Sequence, residues 1–236
     1  MFTRRVVSPE SSQLTVLALD SATEACSVAL YRDGDVHEDF TVIERGHAEH
    51  LLPMIDSLLK KSGIRLDDVD LFAFGAGPGS FTGLRIGVAM IQGLAISVDR
   101  PVTPVSSLAA LAAPRTGDVL AMIDARMGQV YHGLFSVGKQ GQPVLIGEEV
   151  VSNPADVPVP EVERLTILGS GWDSYADALH DRFDAGLQLE FVAGEYPHAA
   201  DVARIAAHEF NRGRAVEPGQ ALPHYVRNNV ARKMGE

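Results

Sequence analysis

Apolar positions along this chain follow two alternating rhythms. Short apolar runs bounded by Asp, Gly or Pro read as strands, and longer stretches with apolar residues three and four apart read as helices. Residues 14–20, Leu-Thr-Val-Leu-Ala-Leu-Asp, predict a buried strand that ends in a carboxylate. Ser21-Ala22-Thr23-Glu24 turns the chain, residues 26–31 run back, and Asp33-Gly34 signals a hairpin into a third strand over 36–43. Three antiparallel strands in a row make a meander. Leu51, Leu52, Ile55, Leu58 and Leu59 then recur at helical spacing and predict a helix over 48–61. Ser62-Gly63 closes it, with Lys60 and Lys61 near the negative end of its dipole. Pro53 falls early enough to be tolerated in its first turns.

The strand Leu71-Phe72-Ala73-Phe74 ends in alternate glycines, Gly75, Gly77 and Gly79. Glycine serves where φ turns positive or another chain comes close, and Pro78 stiffens the turn. Ser80 or Thr82 is placed to cap the helix that follows, over 82–98. That helix is apolar on nearly every side: Leu84, Ile86, Val88, Met90, Ile91, Leu94 and Ile96. A helix on one face of a sheet needs a single apolar stripe, so this pattern predicts burial on two sides, one of them by a second protein. Arg85, Gln92 and several glycines leave it short of the roughly 20 apolar residues a membrane span needs.

Pro101 to Val105 reads as a short strand, and Ser106-Ser107 caps a helix over 108–112. Pro114-Arg115-Thr116-Gly117 marks the boundary between a lobe at 1–113 and a smaller one at 114–236. The second half opens as the first did. Leu120-Ala121-Met122-Ile123-Asp124-Ala125-Arg126 matches Val16-Leu17-Ala18-Leu19-Asp20-Ser21-Ala22 at an offset of 104 residues, and Leu30-Tyr31 meets Leu134-Phe135. This internal repeat predicts two similar α/β lobes with a cleft between them. Later come a spacer at Val157-Pro158-Val159-Pro160, a strand at 165–168, a helix at 172–179, a helix at 199–210 and an extended tail at 222–227.

Composition narrows the function. Hydrophobic residues make up 46% of 236, enough for a substantial core. Lys plus Arg total 20 against 31 Asp plus Glu, a net charge of −11. That excludes a protein gripping nucleic acid unaided, though not a subunit whose partner supplies the basic surface. The single cysteine, Cys26, permits no internal disulfide and fits a reducing cytoplasm. The residues after Arg4-Arg5 are too polar for an export signal.

Candidate chemistry is sparse. Asp20, Ser21 and Thr23 allow a phosphate hairpin, with Asp20 holding a metal-bound water and the hydroxyls donating to phosphate. They equally allow an Asx-type turn in which Asp20 satisfies local N–H groups. Gly79 and Ser80 open a helix whose N–H groups suit an anion. Alternatively the glycines let the turn pass close to the neighbouring hairpin, and spacing favours this second reading. No Walker loop or dinucleotide fingerprint is completed. Asp124 is followed by Arg126 and Gly128, where a phosphate-gripping twin of Asp20 would want Gly or Thr. His47 and His50 are three apart without a third ligand, which favours capping and surface roles over a metal. Neither Ser80 nor Ser170 has the flanking glycines of a nucleophile elbow, and Cys26 lies in a buried strand.

Asp20-Ser21-Ala22-Thr23, His47 with Leu51-Leu52-Pro53, the run from Gly77 to Gly87, Asp124-Ala125-Arg126 and Tyr225-Val226-Arg227 together resemble the TsaB (YeaZ) family. The resemblance implies an α/β fold, two-lobed and actin-like, an RNase H-like unit duplicated, with mixed sheets flanked by helices. It implies a cytoplasmic, non-catalytic partner of TsaD in making threonylcarbamoyladenosine next to the anticodon of tRNAs that read codons beginning with A. TsaD carries its metal on histidines four apart, a pattern missing here. A TsaE-like ATPase is the further partner, tRNA is met only through the complex, and no membrane is involved. The helices at 48–61 and 82–98 are expected to pair with the same helices of TsaD, or of a second copy in a homodimer. Leu51, Met54, Leu58, Gly83, Leu84, Gly87, Val88, Met90 and Ile91 are the expected contacts, and Gly93 is a further small residue there. No cofactor or metal is assigned to this chain, with ATP or ADP expected at the shared interface. The alternatives are a stand-alone ATPase or kinase using Asp20 and Thr23, and a glycoprotease-like peptidase.

Overall fold

Strands form where the apolar runs predict them. In the computed structural model, which describes residues 14–43, 45–183 and 188–226, β1 (Thr15–Asp20), β2 (Ala25–Arg32) and β3 (Asp35–Val42) make the antiparallel meander. β4 (Leu71–Gly77) lies parallel to β1 on its other side, and β5 (Val102–Ser106) follows. The sheet order is β3-β2-β1-β4-β5. The second half builds β6 (Gly117–Arg126), β7 (Gln129–Val137), β8 (Pro143–Ser152), β9 (Arg164–Leu168) and β10 (Gln188–Val192). Their order, β8-β7-β6-β9-β10, is the same topology. The internal repeat is therefore a duplicated fold unit, and the architecture is two-lobed and actin-like.

Helices cover the sheets in matching places. α1 (His47–Ser62) and α2 (Phe81–Ser97) lie on the outer face of the first sheet. Leu51, Ile55, Leu58, Val88 and Ile91 close there over Leu17, Leu19, Val28, Phe72 and Phe74. α4 (Ser170–Phe183) covers the second sheet with Trp172, Leu179 and Phe183 over Leu120, Met122 and Ile167. α3 (Ser107–Ala112) and α5 (Ala199–Asn211) fill the space between the sheets. α5 comes from the second half yet packs on β1 and β2, its first N–H groups bonded to Ser27 Oγ and Glu38 Oε1 at 2.9 Å each. One apolar core, from Val16 and Ala18 to Ala121 and Phe135, is thus shared by both sheets. Among the described residues no helix is long and apolar enough to cross a membrane.

Pro53 is inside α1, in its second turn. Several expectations change. The two lobes match with a one-residue slip in their first strands. Leu17 and Leu19 face the outer helices in β1, and Leu120 and Met122 do so in β6, so Asp20 and Asp124 stand on opposite faces. The expected partner contacts are mostly taken by the lobe itself. Leu51, Leu58, Gly83, Leu84, Gly87, Val88 and Ile91 are buried under α1 and α2, and Met54 and Met90 are half-buried. Gly83 and Gly87 ease the approach of this chain's own β1–β2 turn. A Cβ on Gly83 would strike Ser21 O, and one on Gly87 would lie 2.7 Å from Ser21 Oγ. Gly93 does face open space.

Two internal polar atoms are left without a partner among the described residues, Arg115 Nε and Thr103 Oγ1. Thr103 Oγ1 in β5 is buried and makes no hydrogen bond. Thr103→Val removes that unsatisfied group at nearly constant shape. It is expected to stabilise the fold by about 1 kcal/mol, raising the thermal midpoint by about 2–4 °C. An unchanged or lower midpoint in a thermal melt would count against this account of the β5 core.

Candidate functional site

Three chain turns meet between the lobes around a cleft of about 390 Å³. The β1–β2 turn brings Thr23 and Glu24, the glycine turn brings Gly79 and Ser80, and the end of β6 brings Asp124 and Arg126. His47 at the start of α1 and residues 224–226 complete its rim. Of the residues singled out for phosphate, the structure places Thr23, Gly79 and Ser80 on the cleft and leaves Asp20 and Ser21 behind its wall.

Asp20 is fully buried, which rules it out as the holder of a metal-bound water in the cleft. Its Oδ1 accepts the Ala22 N–H at 2.9 Å and its Oδ2 accepts the Ser107 hydroxyl at 3.1 Å. That is the Asx-type turn, with an added tie to the start of α3. The Oδ2 atom fills the space where a Cβ on Gly75 would stand. Burial pushes the carboxyl up from 3.8 to about 7, although both hydrogen bonds favour its charged form. Ser21 Oγ donates to Gly83 O at 3.0 Å, and Thr23 Oγ1 accepts the Ala25 N–H at 3.1 Å. Ser21 thus spends its hydroxyl proton on holding the turn, while Thr23 accepts there and that bond does not use its O–H proton.

The glycine turn is explained by close approach. A Cβ on Gly79 would collide with Ala22 O. Ser80 N donates to that same carbonyl at 2.6 Å. Ser80 Oγ accepts the Gly83 N–H at 3.3 Å and caps α2, as its position predicts. His47 Nε2 lies 3.0 Å from Thr23 O and His50 Nδ1 lies 2.9 Å from Gly46 O, so both rings rest on carbonyls. Among the described residues no three His, Cys, Asp or Glu side chains gather as a metal site.

Sequence reasoning misses two features of the cleft rim. Arg126 reaches from the second lobe to Glu24 of the first, while its other guanidinium nitrogen holds Asp124 Oδ2 at 3.1 Å. Its backbone has φ 59, in the left-handed region, which aims the side chain across the gap. The second feature is the tail. Val216 pairs with Val102, Ala221 O accepts Gln92 Nε2 at 2.9 Å, and His224 N donates to Ala76 O at 2.7 Å. Tyr225 then meets α2, where Arg85 Nε donates to its hydroxyl at 3.3 Å and the Arg85 guanidinium lies 3.7 Å over the Phe81 ring. His224 Nε2 stands 3.5 Å from Glu149 in β8, so the tail spans both lobes. An Arg after a strand-end Asp was the only trace of the first feature in sequence. Arg227, quoted for the resemblance, lies outside the described residues.

The buried carboxyl gives a pH test. Between 3.8 and about 7 the folded protein keeps a proton on Asp20 that the unfolded chain has lost. Stability therefore falls as pH rises through that window. Asp20→Asn removes this proton from both states. The stability difference between variant and wild type is expected to move in favour of the variant from pH 5 to pH 7.5, as read by urea midpoints. A difference that stays constant with pH would show that Asp20 is not proton-linked to folding.

Three comparisons with known proteins agree. The TsaD family model, described as tRNA N6-adenosine threonylcarbamoyltransferase, matches residues 41–231. The tRNA threonylcarbamoyladenosine biosynthesis protein TsaB of Escherichia coli (strain K12) is 40% identical over 234 residues, covering 93% of this chain and 97% of the relative. The TsaB of Haemophilus influenzae is 35% identical over 235 residues, covering 93% and 96%. Among solved structures, YeaZ from Pseudomonas aeruginosa superposes with a TM-score of 0.82 at 42% identity, over 90% of this chain and 99% of that one. With its duplicated sheets, its glycine turn against the β1–β2 hairpin and these likenesses along nearly its whole length, the chain belongs to the TsaB (YeaZ) family of tRNA threonylcarbamoyladenosine biosynthesis proteins.

Proposed function

We propose that this chain is the non-catalytic scaffold and activator of a TsaD-like subunit, acting with a TsaE-like ATPase. The reaction served is threonylcarbamoyl transfer to the adenosine beside the anticodon of tRNAs that read codons beginning with A. The observation that carries the reading is the outward stripe on the first lobe. Phe81 is 44% exposed, Ile96 64% and Leu52 53%, with Ala89 and Gly93 open between them along α2. Ala89, Gly93 and Ile96 stand four and three apart, so they share one face of α2, while Leu52 belongs to α1. Ile96 and Leu52 are more than half open to water, whereas Phe81 is partly covered by Arg85 and Tyr225. A partner helix laid along that face removes them from water, and about 1,600 Å² of buried surface is ordinary for a stable complex. The same face serves a homodimer when the partner is missing.

Two further facts support the scaffold role. Asp20 is locked behind the cleft wall, and the β1–β2 hydroxyls hold the turn. The net charge of −11 leaves tRNA binding to the complex rather than to this chain alone. ATP or ADP is then met at the shared interface, and the complex works in the cytoplasm.

Two kinds of variant separate the stripe from the core beneath it. Ile91 is fully buried, so Ile91→Glu places an unpaired charge in the lobe and is expected to cost about 3–5 kcal/mol of stability. Ile96→Glu and Ala89→Glu alter exposed positions and are expected to leave the thermal midpoint nearly unchanged. They are expected to weaken co-purification with the TsaD-like subunit by about 2 kcal/mol or more, roughly thirtyfold, and to lower tRNA modification by the mixture in step. Full binding and full modification by both stripe variants would overturn the proposal.

A further inference from the structure

The two lobes differ by one helix. In the first, α1 joins β3 to β4 through the turn that follows it and lies across β2 and β3 on the outer face. Under it Val28 is 0% exposed and Leu30 3%. In the second lobe the matching connection, residues 153–163, holds only a 3-10 turn at Pro154–Asp156, which packs on α4. The strands are repeated and their cover is not.

The consequence is read along the cross-strand rows. Leu120, Leu134 and Ile146 form one row, and Asp118, Ser136 and Val144 the next. Alternation puts both rows on the face that α4 covers. Leu120 is 2% exposed beneath α4, Leu134 is half-buried, Ile146 is 46% exposed and Val144 64%. The first row thus runs from covered core to Ile146, which with Val144 of the polar second row makes an open apolar ledge on β8, the edge strand of its sheet. Edge strands usually carry charge on such positions, because exposed apolar edges invite association. Leu145 points to the other face, where the tail at 222–226 runs, so the tail does not cover the ledge.

The charge around the ledge is mostly acidic. Asp118 closes the outer row and exposed Glu148 follows the bend at Gly147, against Lys139 on the β7–β8 loop. A second copy would bring the same carboxylates and another net charge of −11. We propose that this ledge is the docking site for an amphipathic helix of a partner protein, laid across β7 and β8 as α1 is laid across β2 and β3. Its apolar stripe follows the spacing of Leu51, Ile55 and Leu58, and Lys or Arg flanks the stripe to meet Asp118 and Glu148. The surface is separate from the α1–α2 stripe and stands whether or not that stripe binds a TsaD-like subunit.

The test titrates the full chain with a stapled helical peptide about four turns long, carrying Leu at those three positions and Lys beside them. Saturable one-to-one binding is expected in fluorescence anisotropy, with protection of the β7 and β8 amides in hydrogen exchange. The double variant Val144→Lys, Ile146→Lys alters only exposed positions, and its thermal midpoint checks that it folds. It is expected to bind the peptide at least about tenfold more weakly. A scrambled peptide of the same composition, without the stripe, is expected to bind no better than that variant. Equal binding by wild type and double variant would overturn the proposal. Equal binding of the scrambled peptide would reduce the contact to bulk charge and overturn it as well. A dimer of the wild type that becomes a monomer in the double variant, by light scattering, would assign the ledge to a second copy instead of a partner helix.

Discussion

The fold depends on one backbone-to-backbone contact. The β1–β2 turn and the glycine turn with the start of α2 come main chain to main chain at Gly79 and Gly83, and the Asp20 and Ser21 side chains fill the rest of the contact. Gly75, Gly79 and Gly83 each stand where a Cβ would collide, with Asp20 Oδ2, Ala22 O and Ser21 O in turn. Two hydrogen bonds, Ser80 N to Ala22 O and Ser21 Oγ to Gly83 O, fix the distance that the missing side chains permit. Everything near the cleft inherits that contact. It pulls α2 onto β1, it seals Asp20 behind a wall, and it turns Thr23 and Ser80 toward the gap.

The sealing has an electrostatic cost that the structure accepts. A carboxyl out of reach of water is driven toward its neutral form unless a cation is beside it. Asp20 has hydrogen bonds and no direct cation; His198 acts on it only at a distance, while Glu38 opposes it. In the second lobe the counterpart region solves the problem the other way. Asp124 stays near the surface, receives the Arg126 N–H at 2.8 Å and its guanidinium at 3.1 Å, and shares that cation with Glu24 across the cleft. Such a half-exposed pair contributes little stability by itself. The apolar core shared through α3 and α5 is what holds the lobes together, and Arg126 sets how the rim closes over it.

How much of this was legible varies with how much the local pattern decides. The meander, the capped α2, the glycine stop of α1 at Gly63 and the duplication all follow from residue spacing, because turn chemistry and caps are local. The inward face of α2 was not legible. When nearly every position is apolar, periodicity cannot choose between Ile91 and Ile96, and only packing shows that the first is buried and the second open. The small residues misled for the same reason, since Gly83 and Gly93 look alike in sequence and face opposite ways. Matching Asp20 with Asp124 by letter failed because β1 and β6 are one residue out of step in what they turn to the outer helices, and a single step reverses a strand's faces. β8 gave no signal, being an edge strand interrupted by Gly147 and Glu148-Glu149. Arg126 was visible as a residue, but its reach to Glu24 is a contact between lobes that no local pattern encodes.

The two lobes repeat one strand order and differ in their turns and outer helices. The inner strands of each lobe are held by ladders on both sides. The first lobe has two outer helices, and its strand-end carboxylate serves structure. The second has the same strands and one outer helix fewer, and its apolar row Leu120-Leu134-Ile146 ends in the open beside Val144. In the cleft Arg126 is already paired with Asp124 and with Glu24. Uncovered apolar faces on rigid sheets have much to offer another protein. The unbalanced quantity in this molecule is therefore apolar surface on the outside, and its function is best sought where that surface is covered.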